Sequence, residues 1–383
     1  MKIKRNIYLM YAIALLQGMV FYAPIASLYR QARGLSLGQI ALIESVSFII
    51  TLAMELPWGV IADRIGYRMT MIASCGIFFV SKLVFWRADS FGMFLLERLV
   101  MSAAIAGLSG VDESVLYLSC DERISQKVFG RYSAFGTAGV LLAAWVYTAC
   151  IRDDYALSAL CTAASYGLAA VLALGLKEVR PPERTRRASG REFLRLLHVT
   201  VRDRRFLILL LAAALYRETL QSATVWLNQN QYLRCGMSAQ AIGWAYMAAT
   251  GASMTGVFSQ PVTDTLGRVR TATAVFAVAA IACMTLALTR SAVLSVGCVI
   301  ALKAGSGLVE PLFSRVFNRQ VATADRATQL SIFAVISDTA AAGASLAYGQ
   351  SADVSLDMAF WLGAAVCAIG AAAVCISHRY FEA

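Results

Sequence analysis

Twelve apolar stretches divide the 383-residue sequence, and each is about as long as the roughly 20 residues that a bilayer-spanning helix needs. The composition agrees with this pattern, since 59% of the residues are hydrophobic and only 15% are charged, and the mean hydropathy is +0.64. A water-soluble domain of this composition could not cover its surface with polar groups. The sequence therefore predicts an all-α integral membrane protein.

The predicted spanning helices are numbered 1 to 12 and cover approximately residues 7–29, 40–62, 69–86, 92–118, 129–150, 156–176, 206–228, 240–262, 271–289, 291–316, 329–351 and 356–377. The first is too long for the core of a secretion signal, and no Ala-x-Ala cleavage site follows it. With the N-terminus inside, most of the 34 Lys and Arg residues fall in inner segments, as the positive-inside rule requires. We therefore expect a multi-pass protein of the plasma or inner membrane with both termini cytoplasmic. The net charge of +11 needs no nucleic-acid partner to explain it.

One long linker, residues 177–205, separates two predicted six-helix bundles, residues 1–176 and 206–383. The linker is strongly basic, and apolar residues recur in it at helical spacing at Phe193, Leu196, Leu197 and Val201. That pattern predicts an amphipathic helix lying on an anionic inner leaflet. The alternative is a solvated basic linker that only fixes the topology.

A short charged turn between apolar helices occurs once in each predicted bundle. The first copy reads Gly-Val-Ile-Ala-Asp-Arg-Ile-Gly-Tyr-Arg over residues 59–68, and the second has Thr265 in place of the first base. Gly34-Leu-Ser36 returns in the same way as Gly236-Met-Ser238. Each pair is separated by about half the chain, so the two bundles are predicted to be internal repeats.

These turns resemble the charged loop between helices 2 and 3 of the major facilitator superfamily of transporters, and its weaker copy between helices 8 and 9. The matching residues are Gly59, Asp63, Arg64, Gly66 and Arg68 in the first turn and Asp264, Gly267 and Arg268 in the second. The resemblance implies two pseudo-symmetric six-helix bundles with a substrate site near mid-membrane, opened alternately to either side. It names neither the substrate nor the direction of transport.

The resemblance also implies a latch at the inner end of helix 2. In the family, the Asp of this turn meets the start of helix 11 and a base near helix 5, and the counterparts here are residues 328–330 and Arg131. Asp63 suits this role because a carboxylate is stabilised at the N-terminal end of a helix. The alternative is that the charges of this turn only set the topology.

Twelve charged residues lie more than three residues from either end of a predicted span, and eight of them are acids. A charge at the bilayer centre costs on the order of 3 kcal/mol, so such residues usually line a cavity, form pairs or mark a transport path. Because the acids outnumber the bases, some are expected to take up protons at accessible pH. The coupling candidates are Asp112, Glu113, Glu218, Glu310 and Asp338. Glu113 and Glu310 are favoured because their positions are equivalent in the two halves, although both could simply cap or brace their helices.

Polar residues also recur on single faces of helices 1, 4, 7 and 10. The resemblance places these four helices around the cavity, so the substrate-facing candidates are Gln17, Tyr22, Arg98, Ser109, Arg217, Gln221, Lys303 and Ser306. Arg98 also resembles the helix 4 arginine of proton-coupled drug exporters, although Ser102 stands where that motif has Gly. The candidate partners of Arg217 are Asp338, Glu310 and its sequence neighbour Glu218, which points about 100° away on the helix.

Other membrane charges have a structural interpretation. Glu44 and Lys82 are predicted at similar depth and could form a pair that only holds neighbouring helices together. Glu97 and Arg98 are predicted near the end of helix 4, where long side chains can extend to the interface.

The sequence contains no Gly-Lys pair of a phosphate-binding loop, no Cys-x-x-Cys and only two histidines, which argues against an ATP-driven pump, a metal centre or an enzyme. We expect a monomeric secondary transporter without cofactor, whose partners are a small-molecule substrate, protons and membrane lipids. The leading interpretation is proton-coupled efflux of an amphipathic or zwitterionic organic molecule. The alternatives are a proton-coupled nutrient importer, or a transport-inactive receptor or lipid-handling protein on the same fold. Helix 5 lacks the Gly-Pro motif of many drug antiporters. This absence counts against export and makes the nutrient importer the second interpretation.

Overall fold

The computed structural model describes residues 4–120, 125–152, 154–179, 190–320 and 326–382, and these ranges are helical, without a strand. Eleven helices of this part of the chain are long and apolar enough to cross a membrane. The remaining predicted span, helix 8, consists of three successive pieces, Ala239–Ala252, Ser253–Phe258 and Ser259–Leu266. The all-α membrane fold predicted from the sequence is confirmed.

The other helices follow the predicted order, with ends displaced by a few residues. In the first half they are helix 1 at Lys4–Gln31, helix 2 at Leu37–Ile65, helix 3 at Tyr67–Arg87, helix 4 at Phe91–Ser119, helix 5 at Ser125–Val146 continuing as Tyr147–Ile151, and helix 6 at Tyr155–Leu174. In the second half they are helix 7 at Arg204–Arg234, helix 9 at Arg268–Leu288, helix 10 at Ala292–Arg319, helix 11 at Arg326–Val354 and helix 12 at Leu356–Ile376. A linker helix covers Gly190–Arg202, as its apolar spacing predicted, and a short C-terminal helix covers Arg379–Glu382.

Two of the predicted helix faces are interrupted. The first α-helical part of helix 1 ends at Gly18, and the chain turns through Tyr22 before helix resumes at Ala23–Ile25. Helix 4 breaks at Ser109 and Gly110, where Gly110 has a φ of 73°. The expected single face running from Arg98 to Glu113 is therefore wrong, because the break changes the direction of the chain between them.

Helix 7 contains a π-helical segment at Ser222–Trp226 and continues as Leu227–Arg234. A π-helical turn holds one more residue than an α-helical turn. The expected polar stripe from Arg217 to Asn228 is therefore displaced beyond Gln221, and Asn228 is only 4% exposed.

The chain forms two compact units. Unit 1 comprises Met1–Leu35, Val46–Thr185 and Ala239–Met247, and unit 2 comprises Ser36–Ser45, Arg186–Ser238 and Ala248–Ala383. Helices 2 and 8 therefore each begin in one unit and continue in the other.

Small residues bring helices 1 and 5 into backbone contact in unit 1. A Cβ atom at Gly18 would lie 2.2 Å from the carbonyl oxygen of Gly136, and one at Gly139 would lie 2.1 Å from that of Leu15. Without a hydrophobic driving force between helices in lipid, such close approach supplies much of the packing energy. Gly136 and Gly139 of helix 5 therefore serve helix packing.

The C-terminal residues dock onto the start of helix 7 in unit 2. The Ser377 hydroxyl donates to the carbonyl of Arg205 at 3.0 Å, and the Arg379 guanidinium donates to Asp203 Oδ1 at 3.0 Å. The Tyr380 hydroxyl also donates to Asp203, while Tyr380 and Phe381 are buried. These contacts therefore hold the segment after helix 12 against the start of helix 7.

Candidate functional site

Helix 7 and helix 11 are joined in unit 2 by an ion pair between Arg217 and Asp338. The distance from Arg217 Nη2 to Asp338 Oδ1 is 2.7 Å, and the side chains are 56% and 29% exposed. The sequence left Asp338, Glu310 and Glu218 as candidate partners, and the structure shows Asp338. Because both side chains keep access to solvent, either can exchange its partner for another charged group.

Arg217 also lines a cavity of about 190 Å³. The aromatic side chains of Tyr216, Phe313 and Phe317 form part of its wall, and Glu310 contributes a carboxylate. Glu310 is exposed, so its carboxylate is available to a ligand. The cavity thus combines a base, an acid and aromatic surface.

Glu218, the next residue on helix 7, lies in a different environment. It is 3% exposed, and its Oε1 accepts a hydrogen bond of 3.2 Å from the Ser222 hydroxyl. Among the residues described, no Lys or Arg forms an ion pair with it. The neighbouring Thr219 hydroxyl lies 2.6 Å from that of Tyr348 on helix 11, so this face of helix 7 is built from hydroxyl groups around one carboxyl.

The remaining polar candidates of unit 2 differ in what they contact. The Ser306 hydroxyl donates to the carbonyl of Lys303 on its own helix at 2.9 Å. Ser306 is buried, Lys303 is half-buried and Gln221 is exposed. Of these three, Ser306 is therefore already committed to its own helix.

In unit 1, Asp112 accepts a hydrogen bond of 3.0 Å from the Tyr132 hydroxyl of helix 5 and another of 2.8 Å from the backbone N–H of Glu113. Glu113 and Ser109 are exposed beside the break in helix 4. The carbonyl of Gln17 accepts from the Tyr166 hydroxyl at 2.7 Å. Asp112 is thus held by helix 5 and by the start of its own helical segment.

A buried pair in unit 1 joins helices 3 and 4. Lys82 Nζ lies 3.4 Å from Glu97 Oε1, with the two side chains only 4% and 1% exposed, and it donates to the Tyr22 hydroxyl at 3.3 Å. The expected pairing of Lys82 with Glu44 is therefore wrong as to the partner. The expectation that Glu97 extends to the interface is also wrong, because its neighbours enclose it. Arg98 is half-buried.

The two charged turns share one construction. Gly66 and Gly267 have φ values of 87° and 84°, a region that only glycine enters without strain. Arg68 then donates to the carbonyls of Leu176 at 2.7 Å and Leu174 at 3.3 Å, at the end of helix 6. Such bonds satisfy the free carbonyls at a helix C-terminus and place a positive charge there.

The second turn repeats this contact in unit 2. Arg268 donates to the carbonyl of Phe381 at 2.8 Å, so the base of the first turn contacts the end of helix 6 and the base of the second contacts the segment after helix 12. Unit 1 adds an acid, since the Glu178 carboxylate lies against Gly66, and a Cβ atom at this glycine would be 2.7 Å from it. A carboxylate there stabilises the N-terminal end of helix 3, where the helix dipole is positive.

The expected latch of Asp63 cannot be placed, because the side chains of Asp63 and Thr328 lie outside the described part of the structure. Among the other expected members, Arg64, Arg131 and Asp264 are exposed, and Gly59 is half-buried. The latch therefore stays a prediction.

Sequence reasoning missed Glu178 and Phe381 as partners of the turns, and Glu97 as the partner of Lys82. The turn partners follow helices 6 and 12, the last helices of the two repeats, and this shared position could have signalled them. Nothing in the spacing of Glu97 identifies Lys82 as its partner.

The fold and its cavity define a class of protein: a helical membrane protein with two structural repeats, charged residues inside its spans and a polar and aromatic cavity, which is the construction of a secondary transporter. A family model described as the Major Facilitator Superfamily matches residues 7–345. The chain belongs to this superfamily, as the two charged turns predicted.

Solved structures of transporters share the fold at low sequence identity. A structure of the nucleoside transporter NupG carrying one substitution is 14% identical with a TM-score of 0.85, covering 97% of this chain and 99% of that one. Another structure of NupG has a TM-score of 0.77 at 14% identity and covers 99% and 98%. A bacterial homologue of the human lysosomal transporter Spinster, inward-facing and unoccupied, is 17% identical with a TM-score of 0.73 and covers 98% and 96%.

Proposed function

We propose that the protein is a proton-coupled secondary transporter that exports a small organic molecule with an apolar or aromatic body and at least one charged group. The observation that carries this proposal is the cavity of unit 2, which is lined by Glu310, by aromatic rings and by Arg217, the base that pairs with Asp338. Charges at membrane depth face a cavity or a transport path. Arg217 can bind an anionic group, Glu310 a cationic one, and the rings can stack on the body.

The size of the cavity limits the substrate. Ligand pockets for drug-sized molecules measure roughly 300–1,000 Å³, whereas this one is about 190 Å³. Unit 2 would therefore hold only part of such a molecule, or the whole of a smaller one.

Glu218 is the coupling candidate that the geometry favours. Burying a carboxylate without a base is costly, so the neutral form is preferred while the site is closed. Asp338, by contrast, is held by Arg217, and Glu113 and Glu310 are exposed. A proton on Glu218 would be released when movement of helix 7 brings water or a base to it.

Export is proposed because Arg98 resembles the helix 4 arginine of proton-coupled exporters. Import of a nutrient is the second candidate, and the structural likeness to a nucleoside transporter together with the aromatic cavity wall favours a test with nucleosides. Phe317 is half-buried in the cavity wall and could stack on a nucleobase while Glu310 accepts ribose hydroxyls.

Flux in proteoliposomes tests the proposal. Purified protein would be reconstituted with pyranine inside the vesicles, and nucleosides, zwitterionic amphiphiles and aromatic amines would be added with and without an imposed pH gradient. Coupled transport predicts that the right compound moves protons and accumulates only with the gradient, and the sign of proton movement separates export from import. Saturable binding with no flux under any gradient would show a receptor instead.

Glu218→Gln tests the coupling residue. The variant should keep substrate exchange at zero gradient but lose accumulation driven by the pH gradient. Asp89→Asn serves as the control, because it removes a carboxyl at an exposed position outside helix 7 and should leave gradient-driven accumulation unchanged. Gradient-driven accumulation at the wild-type level by Glu218→Gln would exclude Glu218 as the proton carrier.

A further inference from the structure

Two residues of its own first turn, Ser36 and Gln39, cap the N-terminus of helix 2. The Ser36 backbone N–H donates to Gln39 Oε1 at 3.0 Å, and the Gln39 N–H donates to the Ser36 hydroxyl oxygen at 3.1 Å. This reciprocal pair is a capping box, which satisfies two of the free donors at a helix N-terminus. The N–H of Gly38 takes no part in it.

Asp353, near the C-terminal end of helix 11, supplies the missing acceptor. Its Oδ1 accepts the Gly38 N–H at 2.9 Å, and its Oδ2 accepts the Ser36 hydroxyl at 2.9 Å. A carboxylate in this position also interacts favourably with the positive end of the helix dipole. One side chain of helix 11 therefore completes the N-terminus of helix 2.

The sequence of both segments is fitted to this contact. A Cβ atom at Gly38 would lie 2.1 Å from Asp353 Oδ2, and one at Gly349 would lie 2.2 Å from the Cβ of Ala41. One turn further along, the Ser45 hydroxyl donates to the carbonyl of Ala342 at 2.9 Å. Small residues thus let the two helices touch along three turns, as in other close membrane-helix contacts.

Helix 2 continues from this contact as one unbroken helix. Its residues up to Ser45 belong to unit 2, and those from Val46 onward belong to unit 1. A movement that carries the start of helix 2 away from helix 11 therefore breaks the bonds to Asp353. Ser36 and Asp353 are exposed, so water can take over both hydrogen bonds at low cost. The hydrogen bonds of Asp353 can therefore break and re-form at low cost.

We propose that Asp353 is a positioning residue of the transport cycle, a latch that holds the first turn of helix 2 in the state described here and releases it in the opposite state. The inference rests on the proposed transport function. In this latch, a carboxylate of helix 11 meets the start of helix 2. The latch expected for Asp63 is the converse, in which a carboxylate at the end of helix 2 meets the start of helix 11.

A distance measurement tests the latch without a substrate. Spin labels would be attached through click-reactive amino acids at Leu42 and Val354, which are 40% and 74% exposed, in full-length protein in nanodiscs. Asp353→Ala removes both acceptors, and Gly38→Ala forces the same groups apart without a change of charge. Both variants should increase the long-distance population severalfold over wild type in pulsed electron paramagnetic resonance. Ser36→Ala removes one of the two bonds to Asp353, together with the bond from the Gln39 N–H, and should give an intermediate shift.

Asp89→Asn is the matched control, because it removes an exposed carboxylate elsewhere and should leave the distances unchanged. Unchanged distance distributions in both Asp353→Ala and Gly38→Ala would overturn the latch. A shifted distribution with wild-type flux would overturn its role in transport while leaving the proposed function intact. Lack of flux in the wild type would instead contradict the proposed function and leave the distance result standing.

Discussion

Arg217 on helix 7 and Asp338 on helix 11 are joined over 2.7 Å between guanidinium and carboxylate, beside a cavity that Arg217 lines. Both side chains are partly exposed, and pairs of this kind contribute only about 0–1 kcal/mol to stability. The pair therefore matters for the electrostatics of the cavity more than for folding.

Arg217→Gln should reduce flux more than the double variant Arg217→Gln with Asp338→Asn. The single change leaves Asp338 without its ion-pair partner beside the cavity, so its negative charge disturbs the electrostatics of the site, and the second change removes that charge. Flux of both single variants and the double variant forms a double-mutant cycle. Additive losses would show that the two residues act independently, and thermal unfolding should be nearly the same for all four proteins.

Asp63→Asn should impair transport more than expression. If the carboxylate meets a helix N-terminus, its contribution reaches about 2 kcal/mol in partly buried geometry, and its loss would change state populations by up to roughly thirtyfold. Asp264→Asn, in the second copy of the turn, is the control and should act more weakly. Wild-type flux from normally inserted Asp63→Asn protein would show that the charge only sets topology.

Arg68→Ala should destabilise unit 1, because it leaves the carbonyls of Leu174 and Leu176 without their donor. The expected cost is about 1–3 kcal/mol, measured as a lower unfolding temperature in detergent. Arg64→Ala removes a base from the same turn at an exposed position and should have little effect. Equal effects of the two changes would point to the total charge of the turn instead of these hydrogen bonds.

Gly139→Ala should loosen the contact between helices 1 and 5. The new methyl group would meet the Leu15 carbonyl at 2.1 Å, and overpacking of this kind costs about 1–3 kcal/mol. Nothing lies within 4 Å of a Cβ at Gly130 in the same helix, so Gly130→Ala should be neutral or stabilising by about 1 kcal/mol. The ratio of folded to aggregated protein after heating compares the two.

The docking of the C-terminal segment should weaken in acid. Burial tends to raise the pKa of Asp203, but hydrogen bonds from Tyr380 and the Phe206 N–H, together with Arg379, bring it below its ordinary value of 3.8. A carboxyl whose pKa is lowered by folding stabilises the protein above its unfolded pKa, and this stabilisation is lost as the pH falls through the folded pKa. The window therefore lies below about pH 4.

Tyr380→Phe should accordingly lower the unfolding temperature at pH 7, and its difference from wild type should shrink below pH 4. Tyr8→Phe, at a position 69% exposed, controls for loss of a tyrosine hydroxyl. A difference that stays constant from pH 7 to pH 3 would show that the Asp203 charge is not involved.

Apolar length and the repeated turns were enough to predict the spanning helices and the family, because each depends on short stretches of sequence. The ion pair of Lys82 and Glu97 could not be predicted, since it depends on how helices 3 and 4 rotate against each other. The breaks at Tyr22 and Gly110 were missed for a related reason: each is a local change of backbone inside a run that is long and apolar enough to be one helix. The polar faces drawn along helices 1 and 4 failed at these points.

Asp353 shows a different limit. Its role depends on a contact between segments some three hundred residues apart in the chain, and no motif surrounds it. The capping box of Ser36 and Gln39 was readable from the sequence, but the acceptor for the remaining donor was not.

The π-helical turn of helix 7 makes this helix unusually tolerant of a change in its length. The segment Ser222–Trp226 holds one residue more than an α-helical turn would, so deletion of Ala223 can convert it to α-helix while the residues on either side keep their directions. Gln231 would still reach the Ser295 hydroxyl, its 2.8 Å partner on helix 10. A deletion elsewhere in the helix would turn every later side chain by about 100°. Deletion of Ala223 should therefore lower the unfolding temperature less than deletion of a residue elsewhere in helix 7.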